Sequence, residues 1–397
     1  IELMITMIMF IIVIASVWSI FLGLVNQFKQ QSKIAETNLE GLTGLEILRQ
    51  DIEQTGYGLP WNVEIDGDND QNDWEQLTNY SEAPANPFGL NDAPTAGPKA
   101  IVSSNNATFS SPNDIFDGSD YLVIKAINVA SSDECKKWTT LKAAPFGSSP
   151  VPGNPRIWTP DRENVYKKDD GSTNNNVRVI VLSPGATELN SRALVVNGTT
   201  FFTQYSTVTS SPWPPIDTTE THIIYGVDPN TDLKRPFNRA DYFITTVDSD
   251  GATNITPQRC APNTGVLVKA TMNHDAAGTY TYLPLLDCVA DMQVIYCQDN
   301  DNDGDCEVGA AGSTDSYSDD ISTQNAEWIR ERVKEVRVYI LAHEGQRDTN
   351  YTYPNNSITV GEFGLENNFD LTGITNYQNY RWKVYTIVVN PNNMRST

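Results

Sequence analysis

Basic residues are scarce in this chain of 397 residues: 27 Lys and Arg stand against 50 Asp and Glu, giving a formal charge of −23. A surface of that sign repels phosphate backbones, so no nucleic-acid partner is expected. Histidine is scarcer still. His222, His274 and His343 are scattered, without H-E-x-x-H or comparable ligand spacing, and are read as structural or exposed. There is no G-x-S-x-G elbow and no phosphate-cradling glycine loop. None of the five cysteines forms a C-x-x-C pair, which excludes zinc ribbons, thioredoxin-type sites and c-type haem attachment. No catalytic residues are therefore predicted, and the chain is not read as an enzyme. Charged residues amount to only 19%, and the polar bulk is Asn, Thr, Ser, Asp and Gly, a composition suited to a secreted β protein with many turns.

Proline is missing before Pro60, and charge is missing from residues 3–25. That apolar run is long enough, at about 1.5 Å per residue, to cross a bilayer of roughly 30 Å. A cleaved secretory signal would have a shorter apolar core with basic residues ahead of it, whereas here Glu2 precedes the run. Past Asn26 the chain turns polar, yet Phe28, Ile34, Leu39, Leu42, Leu45, Leu48 and Ile52 recur at mostly helical spacings. Gly56 and Gly58, followed by Pro60, stop the pattern. The spacing predicts one helix over residues 1–58, on the order of 80 Å long at 1.5 Å per residue. Its first half is apolar all round; its second half is amphipathic and wants one face on a globular head. Gly23, Gly41 and Gly44 are the places where such a helix would be expected to open. An ionisable group at the edge of an apolar segment is costly unless paired, which singles out Glu2.

Ile1-Glu2-Leu3-Met4-Ile5 resembles the start of a mature type IV pilin, whose processing signature runs Gly-Phe-Thr-Leu-[Ile/Val]-Glu-Leu-Met. The stretch Leu48-Arg49-Gln50-Asp51-Ile52-Glu53-Gln54-Thr55-Gly56-Tyr57-Gly58 is similar to the helix end of PilW-type minor pilins. So are Leu286-Asp287-Cys288-Val289-Ala290-Asp291-Met292-Gln293-Val294, Val333-Lys334-Glu335-Val336-Arg337-Val338-Tyr339 and Tyr380-Arg381-Trp382-Lys383-Val384-Tyr385. In that family a prepilin peptidase cleaves and N-methylates the chain, and the glutamate pairs with a neighbour's N-terminal amine. The resemblance implies that Glu2, with Leu3, Met4 and Ile5, serves assembly. It further implies a structural subunit of an extracellular filament, a homopolymer built by packing N-terminal helices. Such a subunit resides in the inner membrane, meets the pilus assembly machinery there, and ends on the cell surface. A PilW-like minor subunit that primes assembly or sits at the tip is the alternative. A membrane-anchored binding or enzymatic module is the reading from a different class.

Residues 59–397 are predicted to form a β-rich head, one domain or two subdomains. Strands are expected at 121–129, 177–182, 193–196, 223–227, 242–247, 266–270, 289–296, 336–342 and 381–389, runs rich in Val, Ile, Tyr and Phe. One helix is expected over 323–334, and the polar stretches 64–119 and 145–176 read as surface loops. The fold class is therefore α+β, a long N-terminal helix packed on a large, mostly antiparallel head.

Asp299-Asn300-Asp301-Asn302-Asp303-Gly304-Asp305-Cys306-Glu307 alternates carboxylates around a glycine, the pattern a hard cation with six to eight oxygen ligands needs. Ala310 stands where an EF-hand would place its bidentate glutamate. The expectation is a calcium loop of another kind, with Asp299, Asp301, Asp303, Asp305 and Glu307 as ligands; the bland reading is a solvated acidic turn. Asp66, Asp68, Asp70 and Asp73 form a weaker copy, and Asp248 and Asp250 a weaker one still. Outside the cytosol, Cys260, Cys288, Cys297 and Cys306 read as two disulfides, leaving Cys135 unpaired. Sequence alone does not decide the pairing; Cys297 with Cys306 and Cys260 with Cys288 is the preferred one.

Overall fold

A computed structural model describes residues 2–65, 73–82, 89–107, 118–143, 176–185, 192–217, 219–229, 231–275 and 278–394. The chain opens with helix α1 (Glu2–Glu53) and continues through β1 (Asn62–Val63), β2 (Ile101–Ala107), β3 (Ser119–Ala126) and β4 (Trp138–Lys142). Then come β5 (Arg178–Ser183), β6 (Ala193–Leu194), β7 (Thr203–Gln204), β8 (Thr221–Asp228), β9 (Asn238–Thr245) and β10 (Gly265–Met272). The last part holds β11 (Tyr280–Gln298), β12 (Ser316–Ser318), α2 (Ala326–Arg332), β13 (Val333–Glu344), β14 (Ser357–Val360), β15 (Asn367–Asp370) and β16 (Arg381–Val389).

The main sheet runs β16-β13-β11-β10-β9-β3-β2, with β12 attached to β11, and its pairings are antiparallel. A second sheet runs β1-β6-β5-β8-β4 with β7 on β5, and β14 and β15 form a hairpin. The layout is α+β: one apolar N-terminal helix and a large antiparallel head. Strand β2 lies inside a stretch expected to be loop, because its polar alternation, Ser103-Ser104-Asn105-Asn106, hides the apolar pair Ile101 and Val102 that anchors it. Helix α2 is shorter than the spacing predicts: Asn325 caps its start by accepting from the Trp328 amide, and β13 begins at Val333. Residues 145–175 lie outside the described residues.

Strand β11 organises the head. Its first part pairs with β10 as far as Val289, and its second part pairs with β13 from Val289 to Gln298. Between them Cys288 has φ +60, and the register shifts on both sides. Backbone groups of β11 on the side that β10 leaves must find other partners. Two side chains of β3 supply them. Ser119 Oγ accepts from the Met292 amide at 2.9 Å, and Asp120 Oδ2 accepts from the Val294 amide at 2.7 Å. The other Asp120 oxygen accepts from the Asn106 amide at 2.8 Å. A buried carboxyl group here does the work of a missing strand.

Helix α1 meets the head only over its C-terminal part. Leu45, Leu48 and Ile52, spaced for one helical face, sit in the main core with Met292, Val294, Val338 and Ile340. Burying side chains of this size contributes about 1.5–3 kcal/mol each. Asp51 adds a polar latch, accepting from Lys269 Nζ and from the Tyr242 hydroxyl. Leu39 and Leu42 depart from the expected inner face: they are 69% and 61% exposed. The helix exit is stitched to β3, with the Gly56 amide donating to Lys125 O and the Ile127 amide to Tyr57 O.

Gly41 and Gly44 mark close approach rather than weak points in the helix. A Cβ on Gly44 would stand 1.9 Å from the Leu285 carbonyl oxygen, and one on Gly41 2.7 Å from Leu286 Cδ1. Gly44→Ala is therefore expected to cost roughly 1–3 kcal/mol as the helix is pushed off β11. Gly23→Ala meets nothing within 4 Å and serves as the control. Melting curves of the two variants check this; equal melting temperatures would refute the close-packing role.

Candidate functional site

Two features stand out once the core is accounted for. The first is the projecting part of α1. Leu3–Ala35 is long and apolar enough to cross a membrane, and none of its most apolar window is buried against the head. Leu3 is 74% exposed, Met4 70% and Ile5 56%, and apolar side chains stay exposed on every turn as far as Leu24. The side chain of Glu2 and all of Ile1 lie outside the described residues. An apolar segment with no face buried against its own head has the character of a membrane anchor or a signal sequence.

The second feature is the loop that leaves β11. Cys297 is bonded to Cys306 across it, while Cys260 is bonded to Cys288 at the bend of β11; Cys135 is free and buried. Asp299 is fully buried and folds the loop around itself, accepting from the Asn302 amide at 2.5 Å and the Gly304 amide at 3.0 Å. Gly304 has φ +102, a conformation that glycine takes without strain. Lys334 Nζ sits 3.3 Å from Asp299 Oδ2, and Arg332 donates to the carbonyls of Asp299 and Asn300. Asp315 braces the far side by accepting from the Asn300 and Glu307 amides at 2.9 and 2.8 Å.

Asp299, Asp301 and Asp303 can each place one oxygen within 4.8 Å of the others. Asp305 and Glu307 do not join that group. They line, with Lys334 and Glu335, a neighbouring cavity of about 500 Å³. The structure thus gathers three of the five expected ligands and gives the most buried of them a lysine partner. Lys334, Arg332 and Asp315 carried no spacing signal in the sequence, since Arg332 at the end of α2 and Lys334 at the start of β13 reach the loop only through the pairing of β13 with β11. Of the weaker acidic copies, Asp66, Asp68 and Asp70 lie outside the described residues. Asp73 accepts from the Ile65 amide and from Gln76, and Asp250 accepts from the amides of Ala252 and Thr253. Both act as turn braces.

The three histidines are buried. His222 Nδ1 bonds Trp213 O, His274 Nδ1 accepts from the Lys234 amide, and His343 Nε2 accepts from the Ala261 amide. No protein-family model, curated protein or solved structure matches this chain.

These buried groups set the response to pH. Burial, helped by the charge of Asp291, pushes the Asp120 carboxyl up to about 8 against its two amide hydrogen bonds. Burial pushes Asp291 itself up to about 6. Burial drives His343 down to about 3, His274 well below the usual imidazole range, and His222 down as well. Between about pH 4 and 8 the folded chain holds a proton on Asp120 that the unfolded chain has shed, so the stability this proton confers falls across that window and is gone once pH passes about 8. The histidines have the opposite sign. Unfolded imidazoles protonate near about pH 6.5 while the buried ones stay neutral, so their contribution is lost as pH falls below that value. Stability is expected to peak near neutrality. Asp120→Asn should abolish the decline between about pH 6.5 and 8 and cost about 1–3 kcal/mol at pH 7, because its amide turns a donor toward a backbone N–H. Melting temperatures across this range check both; a wild-type value that stays flat between about pH 6.5 and 8 would refute the role of Asp120.

Proposed function

We propose that the chain is a structural subunit of a type IV pilus-like extracellular filament, assembled by packing of its N-terminal helices. One observation carries this reading. The exposed apolar cylinder of residues 3–24 continues, without a break in α1, into a segment clamped to the head by Leu45, Leu48, Ile52 and Asp51. A flexible tether would not need such clamping, whereas a filament subunit must transmit load from helix to head. In the inner membrane lipid surrounds the cylinder; after assembly the same surface meets equivalent helices, and Glu2 pairs with a neighbour's amine. The pilus assembly machinery makes that transfer. The size of the head, residues 59–397, favours a second reading within the same family, a PilW-like minor subunit that primes the filament or sits at its tip.

Calcium bound by Asp299, Asp301 and Asp303 belongs to the same proposal. Asp301 and Asp303 are exposed and keep free lone pairs, while Asp299 would share its oxygens with Lys334. An ion that binds only the folded form raises the melting temperature. Asp301→Ala should abolish a calcium-dependent rise seen in the wild type. No rise in the wild type would leave Lys334 as the cation that neutralises the loop.

The assembly role is tested at Glu2. A carboxylate at the edge of an apolar run is tolerated only with a partner. Glu2→Ala should leave the head folded and the protein in the membrane, yet lower filament yield at least tenfold (about 1.4 kcal/mol of docking energy, a small part of what a buried ion pair can carry). Electron microscopy of sheared cells checks this, and unchanged filaments would sink the docking role.

A further inference from the structure

Lys125, Glu82 and Asp92 meet in the interior of the head, on three separate stretches of chain. The side chains of Lys125 and Glu82 are wholly buried and that of Asp92 nearly so. Lys125 Nζ lies 2.5 Å from Asp92 Oδ2 and 2.9 Å from the Glu82 carboxylate, with the Phe237 ring 5.5 Å away. Glu82 Oε1 also accepts from the backbone amides of Asp92 and Ala93, at 3.1 and 3.3 Å, so it is fixed to the residue that Lys125 touches. Its other oxygen is held by Arg239 Nη1 at 2.6 Å. Asp92 Oδ2 accepts from the Lys99 amide at 2.8 Å, and Oδ1 faces the Lys99 ammonium at 3.8 Å.

We propose that Lys125 and Asp92 condense into an intramolecular amide bond once the head has folded, with Glu82 carrying the proton. The Lys125–Asp92 contact is shielded from water, and passage of one ammonium proton to the carboxylate leaves the amine and the acid that an amide condensation requires. Lysine desolvated in this way is a nucleophile. The Nζ lone pair adds to Asp92 Cγ, forming the N–C bond, and negative charge collects on Oδ1, opposite the Lys99 ammonium. Glu82 takes one proton from the nitrogen and hands it to the Oδ2 hydroxyl. The Cγ–Oδ2 bond breaks, water leaves, and the carbonyl re-forms. One ammonium and one carboxylate become one amide and one water; nothing is oxidised or reduced, and Glu82 ends as it began. Fixed contact among the three groups supplies the effective concentration that makes the step feasible. The bond would join the chain ahead of β2 to the end of β3, constraining the unfolded state as a disulfide does. The proposal is independent of the filament reading.

The test is mass spectrometry on the full chain, solubilised in detergent, reduced and denatured. The expected mass is one water below that of the unlinked chain, and proteolysis should release a branched peptide joining Asp92 to Lys125. Lys125→Arg keeps a cation but no amine nucleophile, and Glu82→Gln removes the proton carrier. Each should show the unlinked mass, scored on the fraction that circular dichroism shows to be folded, because either change disturbs a buried charge network. An unlinked mass for the folded wild-type chain would overturn the bond, a result that needs no variant to fold. A branched peptide from Glu82→Gln at the wild-type yield would overturn the role given to Glu82.

Discussion

The close contact between the second half of α1 and strand β11 is the constraint on which the rest of the molecule depends. At Gly44 the helix backbone comes so near the Leu285 carbonyl that no side-chain carbon fits between them. That closeness lets Leu45, Leu48 and Ile52 enter the core of the sheet instead of lying on its surface. It also brings Asp51 within reach of Lys269 and Tyr242, one strand and two strands away from β11. Burial raises the pKa of Asp51, and the hydrogen bonds from Lys269 and Tyr242 oppose that rise.

Strand β11 meets the cost of serving as this platform. It bends at Cys288, exchanges one neighbour for another, and leaves amides that Ser119 and Asp120 must satisfy. The disulfide between Cys260 and Cys288 sits at the bend, and the one between Cys297 and Cys306 sits where the strand ends. The acidic loop follows directly. Its carboxylates are used inward first: Asp299 and Asp315 organise backbone amides before any oxygen is offered outward.

Charge is also concentrated deep in the head. Glu82, Lys125, Arg239 and Asp241 are fully buried, and each faces an opposite charge at 2.9 Å or less. Burial by itself would raise the Glu82 carboxyl, but Lys125 and Arg239 hold it down at about 2. Removing any one member would strand the rest in a low-dielectric interior, a far larger penalty than the net gain of the intact network.

The projecting helix and the strand-rich head could be read in the sequence because both are local signals. Apolar residues without charge over residues 3–25, and short runs of Val, Ile and Tyr between turn residues, depend on neighbours within a few positions. The same is true of carboxylates alternating around Gly304. What could not be read depends on residues far apart in the chain. Leu39 and Leu42 share the spacing of Leu45 and Leu48, yet face outward because the face packed on β11 is the one that carries Gly41 and Gly44, and those two leucines lie off it. Strand β2 was hidden, since two apolar residues gain their meaning only from pairing with β3. Lys334 reaches Asp299 through the β11–β13 pairing, and Glu82 reaches Lys125 through the packing of a loop on β3. The sequence determined where the apolar cylinder, the strands and the acidic turn would lie, because periodicity and turn chemistry are written in consecutive residues. Only the tertiary structure decided which faces are buried and which charges meet, because burial and ion pairing are properties of segments brought together in space.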